Sequence, residues 1–467
     1  MVRGRNCKRS LFEVLLPDGD KLWPEDLRRV DALLDDEQLV EQVAEALRSR
    51  WPQSRRRGRP GTPAEVVLRM LLLKHLYGWS YDVLEQEVRA NLVYREFARV
   101  GDAAVPDAKT ILKIARSLGP EVIEGLHRRV VELAILHDVS RGRRMRIDTT
   151  VVETNVHYPT DSSLLADGVR VLTRIAKRIE ELVGAGRRQF RDRLRSVGRC
   201  YFSILQQARR PGGDLKSGYR RLLGITRAVV RDAETMSRRV AQRRRLLAEK
   251  SQRTVDRLTE KLRTTRTLVG RVIEQTRQRV FAGDTRVPDK VLSLFEPHTE
   301  AIRKGKVVKP TEFGKLVAIQ EAENGIISAY TVCEKRPADR TLWEPALEAH
   351  EQCFGRAPYL VAADRGFWST ANEQAAVDRG VRRVVLPRVG SKSAARRKHE
   401  RQRWFRRGQR WRVGSEGRIS VIKRRHKLDR CLYHGEDGVQ RWVGLGVIAN
   451  NLLSTAAQVA QVTARAP

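Results

Sequence analysis

Cysteine is scarce and scattered. Cys7, Cys200, Cys333, Cys353 and Cys431 form no Cys-x-x-Cys pair, so neither a disulfide framework nor a zinc knuckle is indicated, and a reducing cytosol is expected. Aromatic residues make up only 6% of the chain. That leaves few stacking platforms for unpaired bases and argues against an RNA-binding structural protein. No apolar run reads as long enough to span a membrane, and no signal peptide or membrane association is expected. Acids are also few: 56 Asp and Glu face 92 Lys and Arg in 467 residues, a formal net charge of +36. A surplus this large calls for a polyanionic partner. Contacts to phosphate release condensed counterions, which makes nucleic acid the natural one. A high-GC codon bias raises the Arg count but does not explain why acids fail to balance it.

Hydrophobic residues reach 41%, enough for packed cores, and the length exceeds one compact core, so two or three domains are expected. Residues 1–140 read as helical. In RPGTPAEVVLRMLLLKHLYGWSYDVLEQEV, Thr62 is the expected N-cap and Pro63 the first helical residue. Leu68, Leu71, Leu72 and His75 follow at helical spacing. Gly78 breaks the helix and Ser80 caps a second, with Val83, Leu84 and Val88 inward. Helix, glycine turn, helix is a helix-turn-helix pattern. Most such pairs are ordinary helical hairpins, but the preceding run Arg55, Arg56, Arg57 and Arg59 favours DNA. A third helix is expected after Pro106, through Lys109, Ile111, Leu112 and Ile114.

RRMRIDTTVVET is β-branched and alternating, with Met145, Ile147 and Thr149 on one face of an expected strand. From 166 to 285 helical spacing returns in Leu172, Ile175, Ile179 and Leu182, and again in Val255, Leu258 and Leu262. Pro211-Gly212-Gly213 separates two arms, the second made basic by Arg238, Arg239, Arg243, Arg244 and Arg245. A solvated face is the commoner meaning of such a run; a DNA clamp or dimer arm is the functional one. From 286 strands resume: a hairpin around Asn324-Gly325, a helix from Arg340 to His350, a strand from Tyr359 to Ala363, a helix from Thr370 to Arg379 and a strand from Val381 to Leu386. This order suits an α+β fold with an RNase H-like mixed sheet flanked by helices. The division expected is a helical DNA-binding domain (1–140), two parts of the catalytic domain (141–165 and 286–467) and a long helical insertion (166–285). VGLGVIANNLLSTAAQVAQV reads as a last helix on the sheet.

Metal-dependent phosphodiester chemistry needs hard oxygen ligands on convergent elements. Asp148 sits inside the first strand, where acids are rare; a solvent-facing edge position explains it equally well. Asp364 ends a strand, where ligands of open α/β sheets gather, although an Asx turn into Arg365-Gly366 would also account for it. Glu416 stands out by charge: Arg388 to Arg425 holds 15 Lys or Arg and two acids, Glu400 and Glu416. GSEGRISVIKRRHK reads as a helix capped by Ser415, and a glutamate in a first turn is favoured electrostatically in any case. Lys423 follows Glu416 by two turns on the same face. Trp368 fits a core position better than a stacking platform, and His157 and His426 are assigned as ligands to nothing.

DTTVVETNVHYPTDS, VAADRGFWS and WRVGSEGRISVIKRRH resemble the three signature blocks of DDE-type insertion-sequence transposases, and the ISNCY-like group in particular. The wider group carries tyrosine, two residues, arginine, three residues, glutamate, six residues, lysine; Arg412, Glu416 and Lys423 match, whereas Gln409 replaces the tyrosine. Trp411 or Trp404 is the alternative source of an aromatic surface. The resemblance implies that Asp148, Asp364 and Glu416 are catalytic and hold magnesium, with manganese as a substitute. It implies DNA contacts from Arg412, Lys423, Arg424 and Arg425, with Arg55, Arg56 and Arg57 added from the N-terminal run. It also implies cleavage at the element's terminal inverted repeats, strand transfer into target DNA, a homodimer or larger synaptic complex, and a cytoplasmic, nucleoid-associated protein. The alternatives are a catalytically inactive DNA-binding relative and a metal nuclease without strand transfer.

Overall fold

The computed structural model describes residues 2–5, 19–50, 61–184, 190–303 and 310–463. Arg55, Arg56, Arg57, Arg59 and Cys7 lie outside the described residues. Two compact units result, one made of residues 1–155 and 302–467 and the other of 156–301.

In the first unit, helices α1 (Glu25–Leu33), α2 (Glu37–Arg50), α3 (Ala64–Tyr77), α4 (Tyr81–Ala90), α5 (Leu92–Phe97), α6 (Ala108–Ala115) and α7 (Pro120–Leu136) precede the sheet. α3 is buried on every side from Ala64 to Leu76, as expected of a helix apolar all round. It nonetheless buries Arg69, whose guanidinium is satisfied by Asp31 at 2.6 Å, Asp35 at 2.8 Å and Glu65 at 3.2 Å. The chain leaves α3 through Gly78 in the left-handed region, and Ser80 caps α4 by accepting from the Val83 amide at 3.1 Å. The expected Thr62 cap is not used. α3 starts at Ala64, and its first amides donate to the carbonyls of Arg3 and Gly4 at 2.9 and 3.1 Å. Backbone from the N-terminal segment thus satisfies donors that a cap would otherwise meet. Val83 faces solvent, since the inward stripe of α4 is Leu84 and Val88.

The sheet follows from β1 (Arg144–Thr154), and its other strands lie beyond the second unit's helices, α8 (Asp161–Val183), α9 (Leu194–Ala208), α10 (Leu215–Arg243) and α11 (Glu249–Thr276). They are β2 (Glu300–Arg303), β3 (Thr311–Glu321), β4 (Ile327–Val332), β5 (Leu360–Ala362), β6 (Arg383–Val385) and β7 (Arg430–Cys431), with α12 (Trp343–Phe354) between β4 and β5 and α13 (Thr370–Asp378) between β5 and β6. After β6 come α14 (Ala394–Arg401), α15 (Arg403–Arg425) and, last, α16 (Glu436–Thr463). Among the described residues the strand order is β2-β3-β1-β5-β6, with β4 beside β3 and β7 beside β1. β3 is antiparallel to β1 and to β4, whereas β5 runs parallel to β1 and to β6. Asn324 and Gly325, both at positive φ, turn β3 into β4. On one face Met145 and Ile147 of β1 join Trp343, Leu347, Val361 and Phe367. On the other, Val152 joins Ile422 of α15 and Val439, Trp442, Val443 and Val447 of α16.

α16 corrects one expectation. Glu436–Gln461 is long and apolar enough to cross a membrane, but 67% of its apolar window is buried in the protein. One stripe lies on the sheet, and another, through Leu445, Ile448 and Leu452, joins the core of the N-terminal helices. A helix buried on two sides needs apolar residues on both.

In the second unit α8 opens on a capping box between Thr160 and Ser163. Its inward residues Leu172, Ile175 and Ile179 share one core with Leu222, Val229, Val255 and Leu262. Pro211-Gly212-Gly213 lies between α9 and α10 as a turn, and further breaks make four α-helices among the described residues where two arms were expected. The basic run is partly neutralised: Arg238 meets Glu234 at 3.0 Å, Arg239 meets Glu180 at 3.8 Å and Arg244 meets Asp256 at 2.6 Å.

Two stability predictions follow from this packing. Gly314 pairs with Glu153, and a Cβ at Gly314 would overlap the Val152 carbonyl. Gly314→Ala should therefore cost roughly 1–3 kcal/mol in urea unfolding. Gly417→Ala, mid-helix with open space around it, should gain up to about 1 kcal/mol. Equal stabilities for the two variants would refute the close approach. Burial pushes His127 and His426 down to about 4. Both stay neutral in the fold while the unfolded chain takes up protons near pH 6.5. Their contribution to stability should be flat above that pH and fall between 6.5 and 4, by on the order of 3 kcal/mol per histidine. His127→Gln should flatten the slope of melting temperature against pH; an unchanged slope would show that another group sets it.

Candidate active site

Alternation along β1 turns Arg146, Asp148 and Val152 toward α15, and each meets a different turn of that helix. Arg146 lies under the Trp411 ring at 4.9 Å and donates to the Trp411 carbonyl. Val152 meets Ile422. Between them, the Asp148 carboxylate accepts from Arg412 Nη2 at 2.9 Å, Ser415 Oγ at 3.0 Å and its neighbour's amide, Thr149, at 2.8 Å. A strand carboxylate that is only 9% exposed needs such donors, because a buried charge without them is costly.

α15 is one helix of 23 residues, which overturns the expected start at Ser415. Gly408 and Gly414 do not break it. A Cβ on Gly408 would stand 2.6 Å from Val385, and one on Gly414 would meet the Arg146 guanidinium. The glycines let the helix lie close on the sheet, and that burial outweighs their low helix propensity. Ser415 is therefore buried mid-helix, with its hydroxyl on Asp148 and not on the backbone of a first turn.

Arg412 joins all three sequence-predicted acids. Besides Asp148, it reaches Glu416 Oε1 at 3.2 Å from Nη1 and Asp364 Oδ2 at 4.0 Å from Nη2. Its Nε is buried and makes no hydrogen bond. Asp364 follows β5, and its Oδ1 also accepts from the Gly366 amide at 2.8 Å. The Asx turn and the convergence on Arg412 thus coexist at one residue. Glu416 keeps 65% of its side chain exposed. Among the described residues, no three His, Cys, Asp or Glu groups stand close enough together to hold a metal ion as they are. The donor set still fits one: three carboxylates supply hard oxygen, and the cation they now share is the Arg412 guanidinium.

A fourth carboxylate was not anticipated. Asp339 stands 3.5 Å from the Thr149 hydroxyl, and a Cβ on Gly366 would lie 2.9 Å from Asp339 Oδ2 and 3.0 Å from Asp364 Oδ1. Asp339 begins a short 3-10 turn before α12, so in the sequence it reads as turn chemistry, and only the crossover after β4 brings it to the end of β5.

The remaining candidates are dispersed. Lys423 lies on α15 two turns beyond Glu416, and Arg424 and Arg425 occupy its last turn; Arg425 is 3.6 Å from Asp26. Gln409 is half-buried on the same helix. Trp411 covers Arg146, while Trp404 stacks edge-on with Phe405. Trp368 is half-buried and donates to Glu373 at 3.2 Å. His426 is buried on the His75 carbonyl at 3.1 Å, and His157, in the second unit, is 3.4 Å from Asp167.

Residues 13–117 match a family model described as a transposase domain (DUF772), a span that ends just after α6. Residues 374–455 match one described as a transposase DDE domain, and that span holds Arg412, Glu416 and Lys423. Neither match includes Asp148 or Asp364. An uncharacterized protein, ORF8 of the nfe locus of Rhizobium meliloti, is 28% identical over 127 residues, which is 26% of this chain and 61% of that protein. No solved structure matches. With one transposase domain matched in the helices before the sheet and a second matched around α15, the chain falls among the DDE transposases of insertion sequences.

Proposed function

We propose that this chain cuts DNA at the ends of an insertion sequence and joins those ends to target DNA, with divalent metal held by Asp148, Asp364 and Glu416. The observation that carries this reading is the convergence of three carboxylates, from β1, the end of β5 and α15, on the single guanidinium of Arg412. The strand order β4-β3-β1-β5-β6, with β1 central, antiparallel to β3 and parallel to β5, supports an RNase H-like catalytic fold. Asp339 is a fourth oxygen donor within reach of the same acids.

Bound divalent metal, magnesium in the cell with manganese as a substitute, would activate water and stabilise the leaving oxygen. The chain's own residues do the positioning. Ser415 and the Thr149 amide keep the Asp148 carboxylate oriented when Arg412 gives way. Arg412, freed from the acids, then becomes a bidentate donor for a DNA phosphate. Lys423, Arg424 and Arg425 extend the phosphate track along α15, and Arg55, Arg56 and Arg57 are further phosphate contacts read from the sequence alone. Two element ends must meet, so the working form is a homodimer or larger synaptic complex, with residues 166–285 as the pairing arm, 1–140 as the DNA-binding domain, and 141–165 with 286–467 as the catalytic domain. The compartment is the cytoplasm, at the nucleoid. The seat of Arg412 among the acids also suits a catalytically silent DNA-binding relative, and a nuclease without strand transfer would share the acids. Scoring cleavage and joining separately discriminates both.

On a labelled duplex carrying an element end, magnesium-dependent nicking is expected from the wild-type chain and background from Asp148→Asn and Glu416→Gln, with duplex binding kept within a few fold. Nicking by either variant removes that acid from the site, and binding without nicking by wild type supports the silent relative. Arg412→Gln should lower metal-free stability by roughly 1–3 kcal/mol, since it leaves Asp148 short of a donor. Added manganese should then raise its melting temperature more than that of wild type, because no guanidinium competes. Equal manganese shifts in both proteins would show that Arg412 and metal do not share the acids.

A further inference from the structure

The same helix that buries Arg69 among three acids buries a second cation with none. Lys74 is 3% exposed. Among the described residues its ammonium has no hydrogen bond and no carboxylate within ion-pair distance. It lies over three ring faces, Trp442 at 4.6 Å, Tyr81 at 5.0 Å and Tyr433 at 5.2 Å, with the Cys431 thiol as its other electrostatic neighbour. Cation–π contacts of this kind offset part of the desolvation cost, and burial still pushes Lys74 down to about 8. An ammonium in that position gains from any anion brought beside it.

Lys74 lines an open cavity of about 340 Å³, at the small end of ligand pockets. Tyr81 and Tyr433, hydroxyl to hydroxyl at 2.7 Å, form one wall with Lys74. Lys109 and Arg116, exposed at the ends of α6, form the rim, and Arg441 closes the floor with its guanidinium over Tyr433 at 5.6 Å. Four cations thus face a single acid, Asp82. Neither Lys109 nor Arg116 makes an ion pair among the described residues. Leu112 and Leu432 add apolar surface.

We propose that this cavity binds a phosphate-bearing nucleotide of a DNA strand, with the phosphate drawn to Lys74, Lys109 and Arg116 and the sugar and base lying against the leucines and tyrosines. The proposal rests on the reading of DNA as substrate, and it names a contact away from the three acids. Lys74 there supplies charge-assisted hydrogen bonds to the phosphate. The desolvation of its ammonium is then a cost that the phosphate offsets.

The test is calorimetric titration of the full chain with deoxyadenosine 5′-monophosphate, inorganic phosphate, unphosphorylated deoxyadenosine and a duplex with an unpaired 5′-phosphorylated end. The monophosphate and the duplex should bind, and deoxyadenosine should not. Lys74→Met, and separately the rim double variant Lys109→Ala/Arg116→Ala, should each weaken monophosphate binding about tenfold or more, the size of one lost charge-assisted hydrogen bond. Without ligand, Lys74→Met should melt no lower than wild type, because it removes an uncompensated buried charge. Deoxyadenosine binding as tightly as its monophosphate overturns the proposal. So does monophosphate affinity unchanged in both variants, and so does a Lys74→Met protein that melts lower while the rim variant binds normally, which marks a structural lysine. Inorganic phosphate binding that depends on Lys74, with duplex affinity untouched, overturns DNA as the source. Asp148→Asn should bind the monophosphate normally. Nucleotide binding lost with metal-dependent nicking intact would sink this inference alone, and the reverse would sink the catalytic reading alone.

Discussion

The seating of α15 on β1 is the contact on which the candidate site depends, and the ion pair of Arg146 with Glu321 holds it there. Arg146 donates to Glu321 at 2.6 and 2.9 Å in a buried setting, and the same guanidinium underlies Trp411 and bonds its carbonyl. Arg418, nearly two turns on, reaches Glu321 at 3.5 Å and Asn450 of α16 at 3.1 Å. Two arginines on one buried glutamate therefore fix the rotation of α15 about its axis. Hydrophobic packing alone, through Phe405 and Ile422, would leave that rotation looser, since apolar contact is non-directional. A buried ion pair is weak ground for stability, but its hydrogen bonds are directional where apolar contact is not. Here the arrangement matters because Asp148 is two residues from Arg146, and the helix face presented to it is the one bearing Arg412 and Ser415.

With that register fixed, the electrostatics of the site follow. Three carboxylates facing one guanidinium leave a local excess of negative charge inside a chain of net charge +36. Elsewhere acids are spent on neighbouring arginines, as at Arg129 with Asp36 and Arg396 with Glu373 and Glu400. The three acids around Arg412 outnumber their partner, and two are partly open to solvent, Asp364 at 37% and Glu416 at 65%. Carboxylates left under-neutralised in a basic protein are poised to take up a further cation. The basic surroundings, with Arg424 and Arg425 at the end of α15, would meanwhile draw a phosphate backbone toward them.

What the sequence made legible was local. The hairpin at Asn324-Gly325, the Ser80 cap, the glycine stop at Gly78 and the β1 alternation are all decided within a few residues. Asp148 and Asp364 were singled out as site candidates through the resemblance to the signature blocks, because position within the element left an edge site or an Asx turn as good an account of each. Ser415 failed as a cap because the choice between starting a helix and running through one was made by the sheet beneath it. Gly408 and Gly414 look like breakers in isolation and serve as points of close approach in the fold. Asp339 carried no readable signal, since only the crossover after β4 brings it near Asp364. Thr62 lost its role to a backbone segment some 60 residues earlier in the chain. The failures share a cause: each required knowing which surface would be buried and by what.

Helix α3 shows how far burial alone can be read. Its spacing identified an apolar helix and said nothing of how its two buried cations differ. Arg69 is met by three acids drawn from α1, the segment after it and its own preceding turn, and with its charge compensated it is structural. Lys74 sits 1.4 turns further on in the same core and receives aromatic faces and the Cys431 thiol in place of carboxylates. A fold that needed only volume there would hold a leucine or methionine at lower cost. The acid is missing on the side where the cavity opens, between α4, α6 and the turn before α16. One helix thus carries a completed ion network on one side and an unfinished one on the other, and an unfinished one beside an open, basic cavity is completed by a ligand.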